Sequence, residues 1–116
     1  MSLITMAVYS TEENKKDDCF RKTLQSLEET VDFSKHRLML SVNAKTDETE
    51  SIVNFYRDII SLIVVNKENI GTAKALNKLW KLKRPGENVI KIDDDIIIHQ
   101  AGWVDDMDEC IKIDPF

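Results

Sequence analysis

Val89-Ile90-Lys91-Ile92-Asp93-Asp94-Asp95-Ile96-Ile97-Ile98 sets three consecutive carboxylates inside an apolar, β-branched run. β-Branched residues favour an extended backbone, so Val89 to Ile92 reads as a strand. Two continuations are compatible with it. In one, the triplet is a three-residue hairpin loop and Ile96 to Ile98 returns as an antiparallel strand. In the other, the triplet marks where a buried strand ends at the rim of a sheet. Hairpin loops of this length usually want Gly or Asn at a left-handed position, and the triplet has neither, which favours the rim.

On an extended chain Asp93 and Asp95 face one side while Asp94 faces the other. Carboxylates about 6.5 Å apart repel by on the order of 2 to 3 kcal/mol at an effective dielectric of about 20. A bound cation turns that cost into attraction. Mg²⁺ or Mn²⁺ commonly uses one or two carboxylates and fills its shell with substrate phosphates and water. The triplet therefore predicts a metal-bridged phosphate site at the end of a core strand.

Upstream, strand and helix patterns alternate. Leu3 to Tyr9 reads as a buried strand, followed by the polar cluster Ser10 to Asn14. A helix with the stripe Phe20, Leu24, Leu27 and Val31 comes next, with Asp17 and Asp18 near its positive N-terminal end. Arg37 to Asn43 alternates as a second strand, with Leu38, Leu40 and Val42 on one side and Met39 on the other. Asp47 and Glu50 resemble a capping box opening a helix that carries Ile52, Val53, Tyr56 and Ile59. Ile60 to Val65 reads as a parallel strand covered on both faces.

Gly71 and Thr72 open a helix with Ala73, Leu76, Leu79 and Trp80 on one side, stopped by Arg84-Pro85-Gly86. The fourth strand delivers the triplet, and a last helix is expected to bury Trp103 or Val104, Met107 and Ile111. This order predicts an α/β fold: a Rossmann-like, mostly parallel sheet flanked by helices. In such sheets ligands bind beyond the carboxyl ends of the strands, near the point where strand order reverses. Ser10 to Asn14, Thr46-Asp47, Asn66 to Gly71 and Asp93 to Asp95 would then share one rim.

At 116 residues the chain has the size of one domain, and its 42% apolar and 32% charged composition describes a globular protein. No run approaches the roughly 18 apolar residues of a membrane span, and Met1-Ser2-Leu3 lacks the basic start of a signal peptide. Cys19 and Cys110 have no metal-ligand spacing, so reduced thiols and a cytoplasmic location are expected. A net charge of -5 argues against nucleic-acid binding through a basic face. A nucleotide remains possible where a metal supplies positive charge.

Other residues are weighed against plainer roles. Asp47 is explained equally well as a helix N-cap or as a ligand contact. Asn69-Ile70-Gly71-Thr72 reads locally as a loop entering a helix, although Gly71 permits close backbone approach and a helix N-terminus can meet an anion. His99 and His36 read as surface or structural residues. Trp80 and Trp103 read as packing residues. Lys15 and Lys16 read as solvating a helix start, and Arg21 as lying on that helix's outer face.

Taken together, these motifs resemble the N-terminal, nucleotide-binding half of family-2-type glycosyltransferases with the GT-A fold. The resemblance covers nearly the whole chain: Val8-Tyr9-Ser10-Thr11 after the first strand, Leu24-Gln25-Ser26-Leu27 in the first helix, and Lys45-Thr46-Asp47-Glu48-Thr49 after the second strand. It continues through the Asn-x-Gly pattern of Asn69, Gly71 and Asn77, and ends in the Asp-x-Asp signature of Asp93 and Asp95. The first strand departs from the family in lacking a Pro-x-Tyr-Asn ending.

The resemblance implies a glycosyltransferase that binds a UDP- or GDP-sugar through Mn²⁺ or Mg²⁺. Ser10 and Thr11 would lie along the base, and Asp47 would accept a hydrogen bond from it. Asn69 and Gly71 would belong to the nucleotide site. Asp93 would hold the ribose side and share the metal, Asp95 would bind the metal, and Asp94 would assist either role.

The acceptor-binding half, which carries the catalytic base in inverting members, would lie beyond residue 116, and no carboxylate matches that role. Two other functions fit the same residues: a non-catalytic nucleotide-binding module, and an assembly domain whose acidic rim binds Ca²⁺ or a basic partner. A sheet of this kind also leaves its fourth-strand edge or a neighbouring helix uncovered, which predicts self-association or a missing covering segment.

Overall fold

A computed structural model describes residues 1–113. The strands are β1 (Ser2–Tyr9), β2 (Arg37–Ala44), β3 (Leu62–Val65) and β4 (Asn88–Ile92); the helices are α1 (Asp17–Thr30), α2 (Asp47–Phe55), α3 (Thr72–Trp80) and α4 (Trp103–Ile113). All three strand pairings are parallel, in the order β3-β2-β1-β4. The chain moves outward from β1 through β2 to β3, then crosses back to place β4 on the other side of β1. Strand order therefore reverses between β1 and β4, and the crevice beyond their carboxyl ends is where this topology places a ligand.

Period-two side-chain alternation gives the sheet two apolar faces. Ile4, Met6 and Val8 of β1, Leu38, Leu40 and Val42 of β2, and Ile90 and Ile92 of β4 face one layer, where Phe20, Leu24 and Leu27 of α1, Ile52, Val53 and Tyr56 of α2, and Val104 of α4 complete the main core. Leu3, Met39 and Val64 face the opposite layer and pack on Leu79 of α3. On that side the Trp80 indole donates to Thr5 Oγ1 at 3.0 Å, and Thr5 Oγ1 donates to the Ile90 carbonyl at 2.8 Å. Trp80 itself is 39% exposed, and its indole N–H serves this polar contact over the β1–β4 seam.

Ile96 to Ile98 form no strand, so the hairpin continuation that the sequence disfavours is absent, and Ile96 and Ile98 pack against the main core. The structure corrects several other local expectations. β3 is an edge strand that starts at Leu62, and Leu62 and Val65 are exposed rather than covered on both faces. A short 3₁₀ turn, Arg57–Ile59, takes up the residues ahead of it.

The capping box on α2 belongs to Thr46 and Thr49, not to Asp47 and Glu50: the Thr46 hydroxyl accepts from the Thr49 N–H at 3.1 Å and the Thr49 hydroxyl accepts from the Thr46 N–H at 2.9 Å. α3 ends at Trp80, ahead of Arg84-Pro85-Gly86, which forms the turn into β4; its buried face uses Ala75 rather than Ala73. α4 buries Val104 and Asp108 while Met107 and Ile111 are exposed. The reason is polar: Asp108 accepts hydrogen bonds from the Met1 ammonium at 2.8 Å, from the Asn88 amide at 2.9 Å and from the Ser2 hydroxyl. Among the described residues no helix is long and apolar enough to cross a membrane.

Candidate functional site

A cavity of 390 Å³ lies at the carboxyl ends of β1 and β4, within the roughly 300–1,000 Å³ range of small-molecule sites. Of the four predicted rim segments, Asn66 to Gly71 and Asp93 to Asp95 contribute to it, whereas Ser10 to Asn14 and Thr46-Asp47 do not. Ala7 and Tyr9 come from β1, Lys16 from the turn into α1, Asn43 from β2, Asn69, Gly71 and Thr72 from the entrance to α3, and Lys91 to Asp95 from β4 and its end.

The triplet keeps the strand's alternation past the end of β4. Asp93 and Asp95 are exposed, whereas Asp94 is only 6% exposed and turned inward. Asp94 Oδ2 accepts the Tyr9 N–H at 3.1 Å, so this carboxylate staples the end of β4 to the end of β1. Burial pushes the Asp94 carboxyl above the usual carboxylate range, against the Tyr9 hydrogen bond and Lys16, with Asp95 adding to the rise. Lysines offset the remaining charge. Lys91 Nζ lies 2.6 Å from Asp93 Oδ1, and Lys16 Nζ lies 3.9 Å from both Asp94 Oδ1 and Asp95 Oδ2.

The opposite wall is the loop into α3. Gly71 has φ +84° and ψ 161°, a conformation open to glycine and strained for other residues, and it leaves the α3 N-terminus uncovered by any side-chain cap. An amide network fixes this loop from beneath. Asn43 Nδ2 donates to the Gly71 carbonyl at 3.3 Å, and Asn43 Oδ1 accepts from the Ile70 N–H at 3.4 Å and from Asn66 Nδ2 at 3.0 Å. Lys78 in turn donates to Asn66 Oδ1 at 2.7 Å.

Of the residues singled out from sequence, Asn69, Gly71, Asp93, Asp94 and Asp95 line this cavity. Thr11 and Asp47 line a separate depression of 530 Å³ between the starts of α1 and α2, together with Lys15 and Arg21. Ser10 is 1% exposed and lines neither the cavity nor the neighbouring depression. Beneath the same rim, Asp17 accepts hydrogen bonds from Thr46 Oγ1 at 2.5 Å and from Thr49 Oγ1. Burial raises its pKa, but these bonds, the nearby Ser10 hydroxyl and Arg21 outweigh that and leave the carboxyl below its ordinary range.

Tyr9, Lys16, Asn43, Thr72 and Lys91 were not singled out as site residues. Lys91 carried a signal, since it precedes Asp93 by two residues on the same face of the strand. Lys16 did not: Lys15 adopts φ +53°, and that left-handed residue decides where the following lysine reaches.

The fold matches solved structures over almost its whole length. The mannosyltransferase PcManGT from Pyrobaculum calidifontis, in complex with GDP-Man and Mn²⁺, aligns with TM-score 0.78 and 20% identity over 95% of this chain and 32% of that one. S. aureus TarS aligns with TM-score 0.76 and 23% identity over 97% of this chain and 20% of that one. TarS 1-349 in complex with UDP aligns with TM-score 0.73 and 22% identity over 97% of this chain and 32% of that one. No protein-family model and no curated protein matches the chain. The architecture is that of a Rossmann-like, GT-A-like glycosyltransferase fold, and the chain spans a third or less of the length of these structures.

Proposed function

We propose that this chain is the donor-binding half of a family-2-type glycosyltransferase, whose 390 Å³ cavity takes the diphosphate of a UDP- or GDP-sugar together with Mn²⁺ or Mg²⁺. One observation carries the reading: at the β1/β4 reversal, three aspartates, two lysines and an uncapped glycine-led helix entrance converge on one cavity. The same fold occurs in structures that hold GDP-Man with Mn²⁺ and UDP.

The donor set suits a hard cation that takes part of its shell from substrate. Asp93 and Asp95 offer exposed carboxylate oxygens, and among the described residues no three His, Cys, Asp or Glu side chains gather into a self-sufficient metal cage. Such a site is completed by phosphate oxygens and water. Asp95 is assigned to the metal, and Asp93 to the metal and the ribose side. When bound, the ion acts as a Lewis acid that stabilises the nucleoside diphosphate as leaving group.

The chain's own groups do the positioning. Asp94, stapled to Tyr9, fixes the turn that presents Asp93 and Asp95. Gly71 admits a phosphate to the exposed N–H groups and positive end of α3. Thr11 and Asp47 are assigned to the base, which extends into the neighbouring depression. Sugar transfer belongs to this half acting with an acceptor-binding half, in a reducing compartment such as the cytoplasm, where the exposed free thiols of Cys19 and Cys110 persist.

Calorimetry of the chain with UDP and with GDP, each with and without Mn²⁺, tests the reading. Binding of at least one that requires Mn²⁺, and loses that requirement in Asp95→Ala, is expected; absence of heat in all four titrations rejects it. Turnover of a nucleotide sugar by this chain alone would exclude the alternative of a nucleotide-binding module without transferase activity.

A further inference from the structure

We infer that Lys16 is an internal counter-ion that sits against the metal carboxylate Asp95 and its buried neighbour Asp94 in the free protein and moves to the diphosphate when the metal binds, so that metal and nucleotide load as a coupled pair. The inference rests on the donor-binding reading above. Lys16 Nζ sits 3.9 Å from an oxygen of Asp94 and 3.9 Å from an oxygen of Asp95, bridging the buried and the exposed carboxylate without a close hydrogen bond to either. An ammonium held that loosely neutralises the pair and remains displaceable. Lys91 differs, because at 2.6 Å from Asp93 it forms a direct hydrogen-bonded ion pair.

The position of Lys16 explains why it can exchange. It precedes α1 at the helix N-cap, its backbone N–H is held by Asn14 Oδ1 at 3.2 Å, and its side chain is 38% exposed. The backbone anchor stays fixed while the flexible stem swings. A divalent cation on Asp95 would stand within a few ångströms of this ammonium, and like charges at that range repel strongly at any dielectric proper to a protein surface. The nearest new partner is the ligand's own diphosphate, which lysine binds as a point charge. Metal binding thus releases a phosphate-binding cation, and phosphate binding removes the metal's competitor. The two affinities rise together, as reciprocal linkage requires.

The test is Mn²⁺ binding alone, UDP or GDP binding at saturating Mn²⁺, and Mn²⁺ binding at saturating nucleotide, followed by calorimetry and by the paramagnetic resonance signal of free Mn²⁺. Wild type, Lys16→Gln, Lys16→Met and Lys83→Gln are compared, Lys83 being an exposed lysine between α3 and β4 that lines neither the cavity nor the neighbouring depression. Both Lys16 variants are expected to bind Mn²⁺ alone about three- to tenfold more tightly than wild type, and nucleotide at saturating Mn²⁺ about tenfold more weakly, with Lys83→Gln within about twofold of wild type. The coupling between Mn²⁺ and nucleotide should shrink by the same factor whichever ligand is titrated first. Unchanged or weaker Mn²⁺ binding in both Lys16 variants, or an equal response in Lys83→Gln, overturns the role of Lys16 and leaves the donor-binding reading standing. A wild-type protein that binds neither Mn²⁺ nor nucleotide overturns both.

Discussion

The Tyr9 N–H donates to Asp94 Oδ2 at 3.1 Å, joining the carboxyl ends of two parallel strands 85 residues apart in sequence at the point where the sheet's order reverses. The contact gives Asp94 a structural role within a triplet whose three members all line the cavity. Asp94→Ala orphans the Tyr9 N–H and should cost about 1–3 kcal/mol in urea denaturation.

Asp94→Asn separates charge from hydrogen bonding, because the amide oxygen still accepts from Tyr9. The folded pKa of Asp94 is raised, chiefly by burial, so the folded state binds more protons than the unfolded state between the ordinary and the raised values. Its ionised form therefore lowers stability, fully above the raised pKa, and that cost fades as pH falls toward the ordinary carboxylate value. Asp94→Asn should be at least as stable as wild type at pH 7, with the difference closing as pH drops toward 4, near the ordinary aspartate value. A difference independent of pH across that range would contradict the assignment.

Why the triplet announced a site while much of its geometry stayed hidden follows from what local sequence encodes. Val89 to Ile92 and the stripes Phe20-Leu24-Leu27 and Ile52-Val53-Tyr56 carry periodicity, and periodicity fixes which face is buried; Ile90, Ile92 and both stripes lie in the main core. The single rim follows from parallel pairing, so Asn69, Gly71 and the three aspartates were legible as neighbours. Asn43 looked like the last residue of a strand, and its role depends on a loop that begins more than 20 residues later. Lys16 depends on one left-handed backbone angle. Asp47 was misplaced in the cap because Thr46 and Thr49 form the reciprocal box, and α4's buried Asp108 breaks its apolar stripe through partners at the other end of the chain.

Asn43 should act on the site through the loop it holds. Asn43→Ala removes bonds to Ile70, Gly71 and Asn66 together while leaving the sheet pairing in place. Amide exchange at Ile70 and Gly71 should accelerate, and nucleotide affinity should fall by about tenfold, the effect of losing one or two net hydrogen bonds of about 1 kcal/mol each. Faster exchange confined to those amides would separate loop release from general destabilisation.

Asp17 ties the start of α1 to the cap of α2 through Thr46 and Thr49. Its folded pKa is lowered, so its stabilising contribution is fully present above the ordinary aspartate value and is lost as pH falls through the depressed one. Asp17→Ala should cost about 2–3 kcal/mol at pH 7, in the range of hydrogen bonds to a charged group, and distinctly less at pH 3. Urea titrations at the two pH values read both numbers.

Arg37 and Glu87 form a bidentate clasp at the opposite end of the sheet. The guanidinium contacts the carboxylate twice, Nε to Oε2 at 2.8 Å and Nη2 to Oε1 at 2.6 Å, and the Glu87 side chain is fully buried. Glu87 Oε1 also accepts the Arg84 N–H at 2.7 Å, so the pair fixes the turn that feeds β4. Hydrogen bonding to Arg37 holds the Glu87 carboxyl below its ordinary range, despite burial. Arg37→Ala strands a buried carboxylate and should cost about 3–5 kcal/mol, whereas replacing both partners, Arg37→Met with Glu87→Gln, should recover a substantial part of that loss. Chemical denaturation of the two single variants and the pair measures the coupling. Because the clasp lies at the amino ends of the strands, nucleotide affinity in the folded fraction should stay within about twofold of wild type, as expected for a change remote from the cavity.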